Sequence, residues 1–147
     1  MDLVRDIMTY KVQISNKQES IFNIARMMYG RKIGSVVVVE GPKPIGIITE
    51  RDLAYKVVAN NIQPKVATAK DIMTSPLISI RPGDNIYYAY KIMNDKGIKK
   101  LTVVDENGNL VGILTQTDMI NFFNKQRKEF IISAVKGKPT GSYALEG

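Results

Sequence analysis

The chain of 147 residues contains no cysteine, no histidine and no tryptophan. Without cysteine it cannot form a disulfide framework, a thiolate metal site or a cysteine nucleophile. Without histidine it cannot form a serine–histidine–aspartate triad or bind a metal through imidazole. These absences exclude most hydrolase mechanisms. They leave carboxylate, lysine, tyrosine or hydroxyl chemistry, or a protein without a catalytic step.

Long hydrophobic runs are also missing. No apolar run approaches the roughly 18 residues that a membrane span needs, and the first residues are too polar for a signal peptide. Hydrophobic residues make up 44% of the chain and charged residues 24%, which is ordinary for a globular protein. We therefore expect a soluble, cytoplasmic protein that has no membrane partner.

The charge is unbalanced, with a formal net charge of +7 at pH 7 and a sequence pI of about 9.6. Such a balance favours an anionic partner, either a nucleotide, a nucleic acid or an acidic protein face. A basic surface that serves only solubility explains the charge equally well.

Two short motifs each occur twice, in the same order. The sequence Asp-Ile-Met-Thr at residues 6–9 recurs 65 residues later, at 71–74. The sequence Gly-Ile-Ile-Thr-Glu-Arg-Asp at 46–52 is matched 66 residues later by Gly-Ile-Leu-Thr-Gln-Thr-Asp at 112–118. Chance explains one short match, but not two with the same order and nearly equal spacing. The chain is therefore an internal duplication.

The spacing of apolar residues in each repeat predicts a strand, a helix, two strands joined by a turn, and a second helix. Apolar residues alternate along the predicted strands and recur three and four residues apart along the predicted helices. Asp84 is the predicted N-cap of the first helix in the second repeat. The predicted elements lie near residues 12–14, 21–28, 36–39, 45–48 and 52–59 in the first repeat, and near 78–80, 86–93, 101–104, 110–114 and 118–128 in the second.

A single repeat of about 60 residues buries too little surface to be comfortably stable alone. We therefore predict one domain of the α/β (α+β) class, in which two repeats pack sheet-on-sheet with pseudo-twofold symmetry. The predicted repeats are residues 1–62 and 66–128, and residues 129–147 form the end of the last helix and a flexible tail that starts at Gly137.

Each repeat contains Asp-Ile-Met-Thr, then a strand ending in Val-Val and an acidic residue, and then Gly, two hydrophobic residues and Thr-x-x-Asp. This order of motifs resembles that of the cystathionine-β-synthase (CBS) domain. Two such units in tandem resemble a stand-alone CBS pair, or Bateman module, over about residues 1–130. One departure is that the family often has proline just before the Val-Val pair, where this chain has Val37 and Thr102.

The resemblance implies β-α-β-β-α repeats and a regulatory function without catalysis. Clefts between the repeats would bind an adenosyl small molecule, namely AMP, ADP, ATP or S-adenosylmethionine, as a regulatory ligand rather than a cofactor. The family often forms homodimers and controls a partner protein, which for this chain is unknown. We expect the dimer contact on the helices, at apolar residues such as Leu53, Val57, Met119 and Phe122.

The threonine and aspartate of the two Thr-x-x-Asp turns are candidate residues for binding the ligand. Where a strand runs into a helix, free N–H groups attract an anion, and an aspartate can accept hydrogen bonds from both hydroxyls of a ribose. The same pattern is also a capping box that only starts a helix, and both roles can hold together. Glu50 makes the first turn the poorer anion site, so we rank the second cleft higher.

By the pattern of the family, each turn is completed by residues from the start of the other repeat, and basic residues before the middle strand meet phosphates. Two solvated lysines are an equally good interpretation of that last feature. The candidate residues are Thr115, Thr117 and Asp118 with Thr9, Lys11 and Val12 in one cleft, Thr49, Arg51 and Asp52 with Thr74, Ser75 and Pro76 in the other, and Lys99 and Lys100.

Two other functions are open at this point. A basic nucleic-acid-binding protein would explain the charge, although the chain has no zinc finger, basic zipper or recognisable helix-turn-helix pattern. An enzyme could use Asp52 and Asp118 as paired acids, but no histidine, cysteine or metal cluster accompanies them. The sequence therefore favours a ligand-sensing protein that is not an enzyme.

Overall fold

The computed structural model describes residues 2–136, so the predicted tail from Gly137 onwards lies outside the described residues. The elements, in chain order, are α1 (Val4–Ile7), β1 (Ile14–Ser15), α2 (Ile21–Arg31), β2 (Ser35–Glu40), β3 (Lys43–Thr49), α3 (Glu50–Asp52) continued by a π-helical segment (Leu53–Val58), α4 (Ala69–Ile72), β4 (Ser79–Ile80), α5 (Ile86–Lys96), β5 (Lys100–Val104), β6 (Leu110–Thr115) and α6 (Gln116–Lys136).

Each repeat forms a three-stranded sheet, in the order β1-β2-β3 and β4-β5-β6. The short first strand is parallel to the middle strand, and the middle strand is antiparallel to the third. Both antiparallel pairs shift register at the same place, next to Val38 in the first sheet and next to Val103 in the second. The predicted mixed architecture of two repeats is confirmed.

The strands bury alternate side chains on two different faces. In β2, Val36 and Val38 face the helices of their own repeat. Val37 packs instead in a cluster with Ile47 and Ile113, which joins residues of both sheets. Because successive strand residues point to opposite faces, this third cluster is the core between the two sheets, and the surfaces that flank it belong to both repeats.

The helices differ from the prediction at one residue of an apolar stripe and at one N-cap. Tyr90 of α5 is 48% exposed, although it shares the spacing of the buried residues. The N-cap of α5 is Asn85, whose side chain accepts from the Tyr87 N–H at 2.7 Å. The prediction of Asp84 was wrong, because the Asp84 carboxylate accepts from the Arg81 N–H at 2.8 Å and closes the preceding turn.

The apolar residues expected at a dimer contact lie mostly inside the protein. Val57 is 3% exposed and Met119 is 2% exposed, and each belongs to the core of its repeat. Leu53 and Phe122 are half-buried against the same cores. The prediction that these four form a surface was therefore wrong for Val57 and Met119, because the helix face that carries them covers the sheet.

The short segment at the start of each repeat packs on the other repeat. Val4 of α1 is fully buried in the core of the second repeat, and its N–H donates to the Asp84 carbonyl at 2.8 Å. Ile72 of α4 is 2% exposed in the core of the first repeat, where the Ala69 N–H donates to the Glu19 carbonyl at 2.9 Å. The two halves are therefore tied together by exchanged segments as well as by their sheets.

Candidate functional site

The exchanged segments place the first motif of one repeat against the second motif of the other. Thr9 and Ile113 exchange backbone hydrogen bonds of 2.8 and 2.9 Å. Gly112, next to Ile113, allows this approach, because a Cβ there would lie 2.9 Å from the Met8 sulfur and 3.0 Å from the Thr9 carbonyl oxygen. The pairing of Thr74 with Ile47 repeats the arrangement in the other half. The two recurring motifs of the sequence are therefore in contact in the fold.

Thr115 and Asp118 form a capping box at the start of α6. The Thr115 N–H donates to Asp118 Oδ2 at 2.9 Å, and the Asp118 N–H donates to Thr115 Oγ1 at 3.1 Å. The Thr9 hydroxyl lies 3.3 and 3.4 Å from the two oxygens of the same half-buried carboxylate. Helix capping and contact with the other motif therefore coexist at Asp118.

Thr49 and Asp52 form the equivalent box, but the surroundings of Asp52 differ. Asp52 is only 6% exposed, and its Oδ1 accepts from the Thr74 hydroxyl at 3.0 Å. The Lys56 ammonium lies 3.0 Å from the same oxygen. The corresponding residue of the second repeat, four residues after its aspartate, is Phe122.

Lys56 belongs to none of the motifs that the sequence repeats. A comparison of the two repeats residue by residue would have found it, since lysine in one copy stands opposite phenylalanine in the other. That comparison shows a difference in charge, but it does not show that the lysine turns back toward the aspartate.

The aspartates of the Asp-Ile-Met-Thr motifs start helices. The Leu3 N–H donates to the Asp6 carboxylate at 3.1 Å, and the Thr68 N–H donates to the Asp71 carboxylate at 2.8 Å. The hydrogen bond from the Thr68 backbone holds the pKa of Asp71 below its usual value. These acids therefore orient α1 and α4, and with them the methionine and threonine that reach the other repeat.

The two lysines proposed to meet phosphates, Lys99 and Lys100, have different surroundings. Lys100 is half-buried and pairs in register with Thr115. Its ammonium lies 3.8 Å from the point where Gly34 would carry a Cβ, and a carboxylate oxygen of Glu50 lies 2.6 Å from that point. Lys100 therefore reaches from the second cleft toward the first repeat, whereas Lys99 is exposed.

The remaining candidate residues surround the two clefts less closely. The Arg51 guanidinium lies 4.8 Å from the centre of the Tyr55 ring, in a cation–π contact on the same helix. Val12 packs against the cluster between the sheets. The other candidates are exposed next to the paired threonines and aspartates, and they are Lys11, Ser75, Pro76 and Thr117.

Two cavities lie at equivalent positions of the two repeats, with volumes of about 670 and 440 Å³. The first is lined by Met28, Gly34 and Glu50 among others, and the second by Lys99 and Gln116 among others. Each is lined by one repeat only and neither contains an aspartate of the Thr-x-x-Asp turns. The cavities therefore do not include the paired aspartates, although Gly34 and Glu50 of the first cavity lie near the Lys100 ammonium.

Comparison with known proteins identifies the repeats. The family model of the CBS domain matches residues 4–59 and again residues 69–125. The chain belongs to the CBS-domain family. This CBS pair is 44% identical over 117 residues to an uncharacterised protein of Methanopyrus kandleri, covering 79% of this chain and 57% of that one. It is 30% identical to the CBS domain-containing protein YhcV of Bacillus subtilis, covering 81% and 84% of the two chains.

Solved structures show the same fold. The CBS domain pair of protein MJ0100, in complex with 5′-methylthioadenosine and S-adenosyl-L-methionine, superposes with a TM-score of 0.77 at 28% identity, over 84% of this chain and 97% of that one.

The chain spans between 39% and 60% of the length of the first curated relatives that it matches. Within residues 2–136, no helix combines the length and apolar character needed to cross a membrane.

Proposed function

We propose that this CBS pair is a sensor that binds an adenosyl ligand at Thr9, Thr115 and Asp118, and that it regulates a partner protein without catalysing a reaction. The observation that carries the proposal is the state of the Asp118 carboxylate. Among the described residues, its Oδ1 has a single hydrogen-bond donor, the Thr9 hydroxyl at 3.4 Å. A carboxylate held in this way can accept hydrogen bonds from the two hydroxyls of a ribose.

Two further observations support this proposal. The CBS pair of protein MJ0100 is in complex with two compounds that share an adenosyl group, and the ribose of that group has two hydroxyls that can donate to a carboxylate. Lys100 extends from the strand beside Thr115 toward Gly34 of the first repeat. A ligand with its ribose at Asp118 and its charged end at Lys100 would therefore contact both repeats.

Regulation follows if such a ligand prefers one arrangement of the two repeats. A ligand shifts a conformational equilibrium only by its difference in affinity for the two states. Because the proposed ligand contacts both repeats, its binding free energy depends on the angle between them. The partner protein would respond to that angle, which makes the two sites thermodynamically coupled.

A thermal-shift series tests the proposed function. Adenosine, AMP, ADP, ATP, 5′-methylthioadenosine and S-adenosylmethionine are compared with guanosine as the control nucleoside. A ligand at 100 times its Kd should stabilise the fold by about 2.7 kcal/mol. The absence of a shift with all six adenosyl compounds would refute the proposal.

Lys100→Ala is expected to weaken the binding of ATP by roughly 10- to 150-fold, since a hydrogen bond to a charged group contributes about 1.5–3 kcal/mol. Adenosine, which has no phosphate, should bind nearly as well as before. Lys99→Ala is the matched control, because the neighbouring lysine is exposed and lines the separate cavity of the second repeat. Calorimetry measures both ligands, and equal losses for ATP and adenosine would show that Lys100 acts on the structure instead.

We also propose that the CBS pair forms a homodimer through the outer faces of its helices. These faces carry exposed apolar side chains, which include Tyr29, Tyr55, Val58, Tyr87 and Ile120. Large exposed apolar patches are typical of protein interfaces. Light scattering at micromolar concentration should give the mass of a dimer, and the mass of a monomer would contradict this proposal.

A further inference from the structure

We propose that Lys56 fills the ligand position of the first cleft, so that the CBS pair binds one adenosyl ligand per chain, in the second cleft. The inference rests on the proposed function, since it concerns which of the two clefts the ligand enters. Its basis is the difference between the two aspartate carboxylates, Asp52 and Asp118.

The Asp52 carboxylate has no acceptor capacity left. A carboxylate offers about four acceptor positions on its two oxygens. Oδ2 accepts from the Thr49 N–H at 2.9 Å and from the Thr49 hydroxyl at 3.2 Å. Oδ1 accepts from the Thr74 hydroxyl at 3.0 Å and pairs with the Lys56 ammonium at 3.0 Å. A ribose could bind there only by displacing one of these donors.

The Lys56 ammonium has a hydrogen-bond acceptor for each of its hydrogens. It has three hydrogens to donate, and three acceptors surround it. These are Asp52 Oδ1 at 3.0 Å, the Ile72 carbonyl at 2.9 Å and the Thr74 hydroxyl at 3.2 Å. Lys56 therefore links the first repeat to the segment that leads into the second repeat, which is the link that a ligand in this cleft would make.

The second cleft lacks this lysine. The Asp118 carboxylate receives the Thr115 N–H at 2.9 Å and one hydroxyl, that of Thr9, at 3.3 to 3.4 Å. About two of its four acceptor positions stay open, which matches the two hydroxyls of a ribose. Phe122, which stands where the first repeat has Lys56, cannot donate a hydrogen bond to Asp118, and its ring packs 5.5 Å from that of Phe123.

Calorimetry with 5′-methylthioadenosine and with AMP as probes tests the inference. The wild-type chain should bind one probe per chain, and Lys56→Met should bind two. The carboxylate of Asp52 would then keep its three threonine donors, the Thr49 N–H, the Thr49 hydroxyl and the Thr74 hydroxyl, so we expect the variant to fold. Its Oδ1 would have an open position for one ribose hydroxyl, and the other ribose hydroxyl would replace that of Thr49, whose contact at 3.2 Å is the longest of the three. In the Lys56→Met background, Asp52→Asn should weaken binding at the added site and Asp118→Asn should weaken binding at the original one, each by roughly 10- to 150-fold.

A reciprocal variant tests the inference without altering the first cleft. Phe122→Lys places an ammonium opposite Asp118 and should weaken probe binding at least tenfold. Phe122→Met is its control, because it also removes the ring but adds no charge. If both variants at Phe122 weaken binding equally, the inference is overturned, since packing and not charge would then explain the loss.

The remaining outcomes separate this inference from the proposed function. Two probes per wild-type chain, or one per folded Lys56→Met chain, would overturn the inference and leave the proposed function standing. No binding to the wild type but one probe on Lys56→Met would support the role of Lys56 and refute binding at Asp118. No binding to either protein would overturn both. If Lys56→Met does not fold, the comparison of Phe122→Lys with Phe122→Met decides.

Discussion

Asp118→Asn is expected to weaken the binding of an adenosyl ligand by about 1.5–3 kcal/mol, the contribution of a hydrogen bond to a charged group. At 1.4 kcal/mol for each factor of ten, this is a loss of roughly 10- to 150-fold in Kd. The amide keeps the shape of the side chain and one oxygen, but it loses the charge and one acceptor. Calorimetry with the tightest ligand of the thermal-shift series measures the loss.

The stability of the same variant separates ligand binding from helix capping. Asparagine keeps one side-chain oxygen that can accept from the Thr115 N–H, and the weaker interaction with the helix dipole should cost only about 0.3–1 kcal/mol. If Asp118 only caps α6, affinity will not change and the free energy of unfolding will fall modestly. Such a result would contradict the proposed site.

Asp52→Asn is the matched variant in the first repeat. It removes a carboxylate that pairs with Lys56, so it should lower the free energy of unfolding more than Asp118→Asn does. It should have the smaller effect on affinity, because the first cleft holds no ligand in our proposal. If Asp52→Asn abolishes binding and Asp118→Asn preserves it, our ranking of the clefts is wrong.

Ile72→Ala is expected to destabilise the protein by about 2–5 kcal/mol, the usual cost of truncating a buried isoleucine. Ile72 is 2% exposed and packs in the core of the first repeat, although it lies in the second repeat of the sequence. Urea unfolding measures the total loss. Hydrogen exchange should show the lost protection in β2 and β3.

Ile78→Ala is the control for this prediction, because Ile78 is 38% exposed and also precedes β4. It should cost clearly less than Ile72→Ala. If Ile72→Ala instead loosens β5 and β6 while β2 and β3 keep their protection, the exchange of α4 between the repeats is not present in solution.

Much of this protein can be predicted from its sequence, because its local patterns are strong. The duplicated motifs and the order of strands and helices follow from spacing and apolar periodicity, which report directly on which residues share a face. The threonine and aspartate of each turn stand out because a helix start needs these residue types at this spacing. The family follows from the same motifs, and the comparison confirms it.

Other features depend on contacts between residues that are distant in the chain. Periodicity shows that one face of a helix is buried, but it does not show which element covers that face. It therefore could not reveal that α1 packs on the second repeat and α4 on the first, or that Val57 and Met119 lie in cores. The two aspartates differ for the same reason. Asp52 is saturated and Asp118 is not, because the Lys56 ammonium pairs with Asp52, whereas Phe122 stands at the equivalent position near Asp118. The Ile72 carbonyl and the Thr74 hydroxyl hold that ammonium, and only folding brings these distant groups to it.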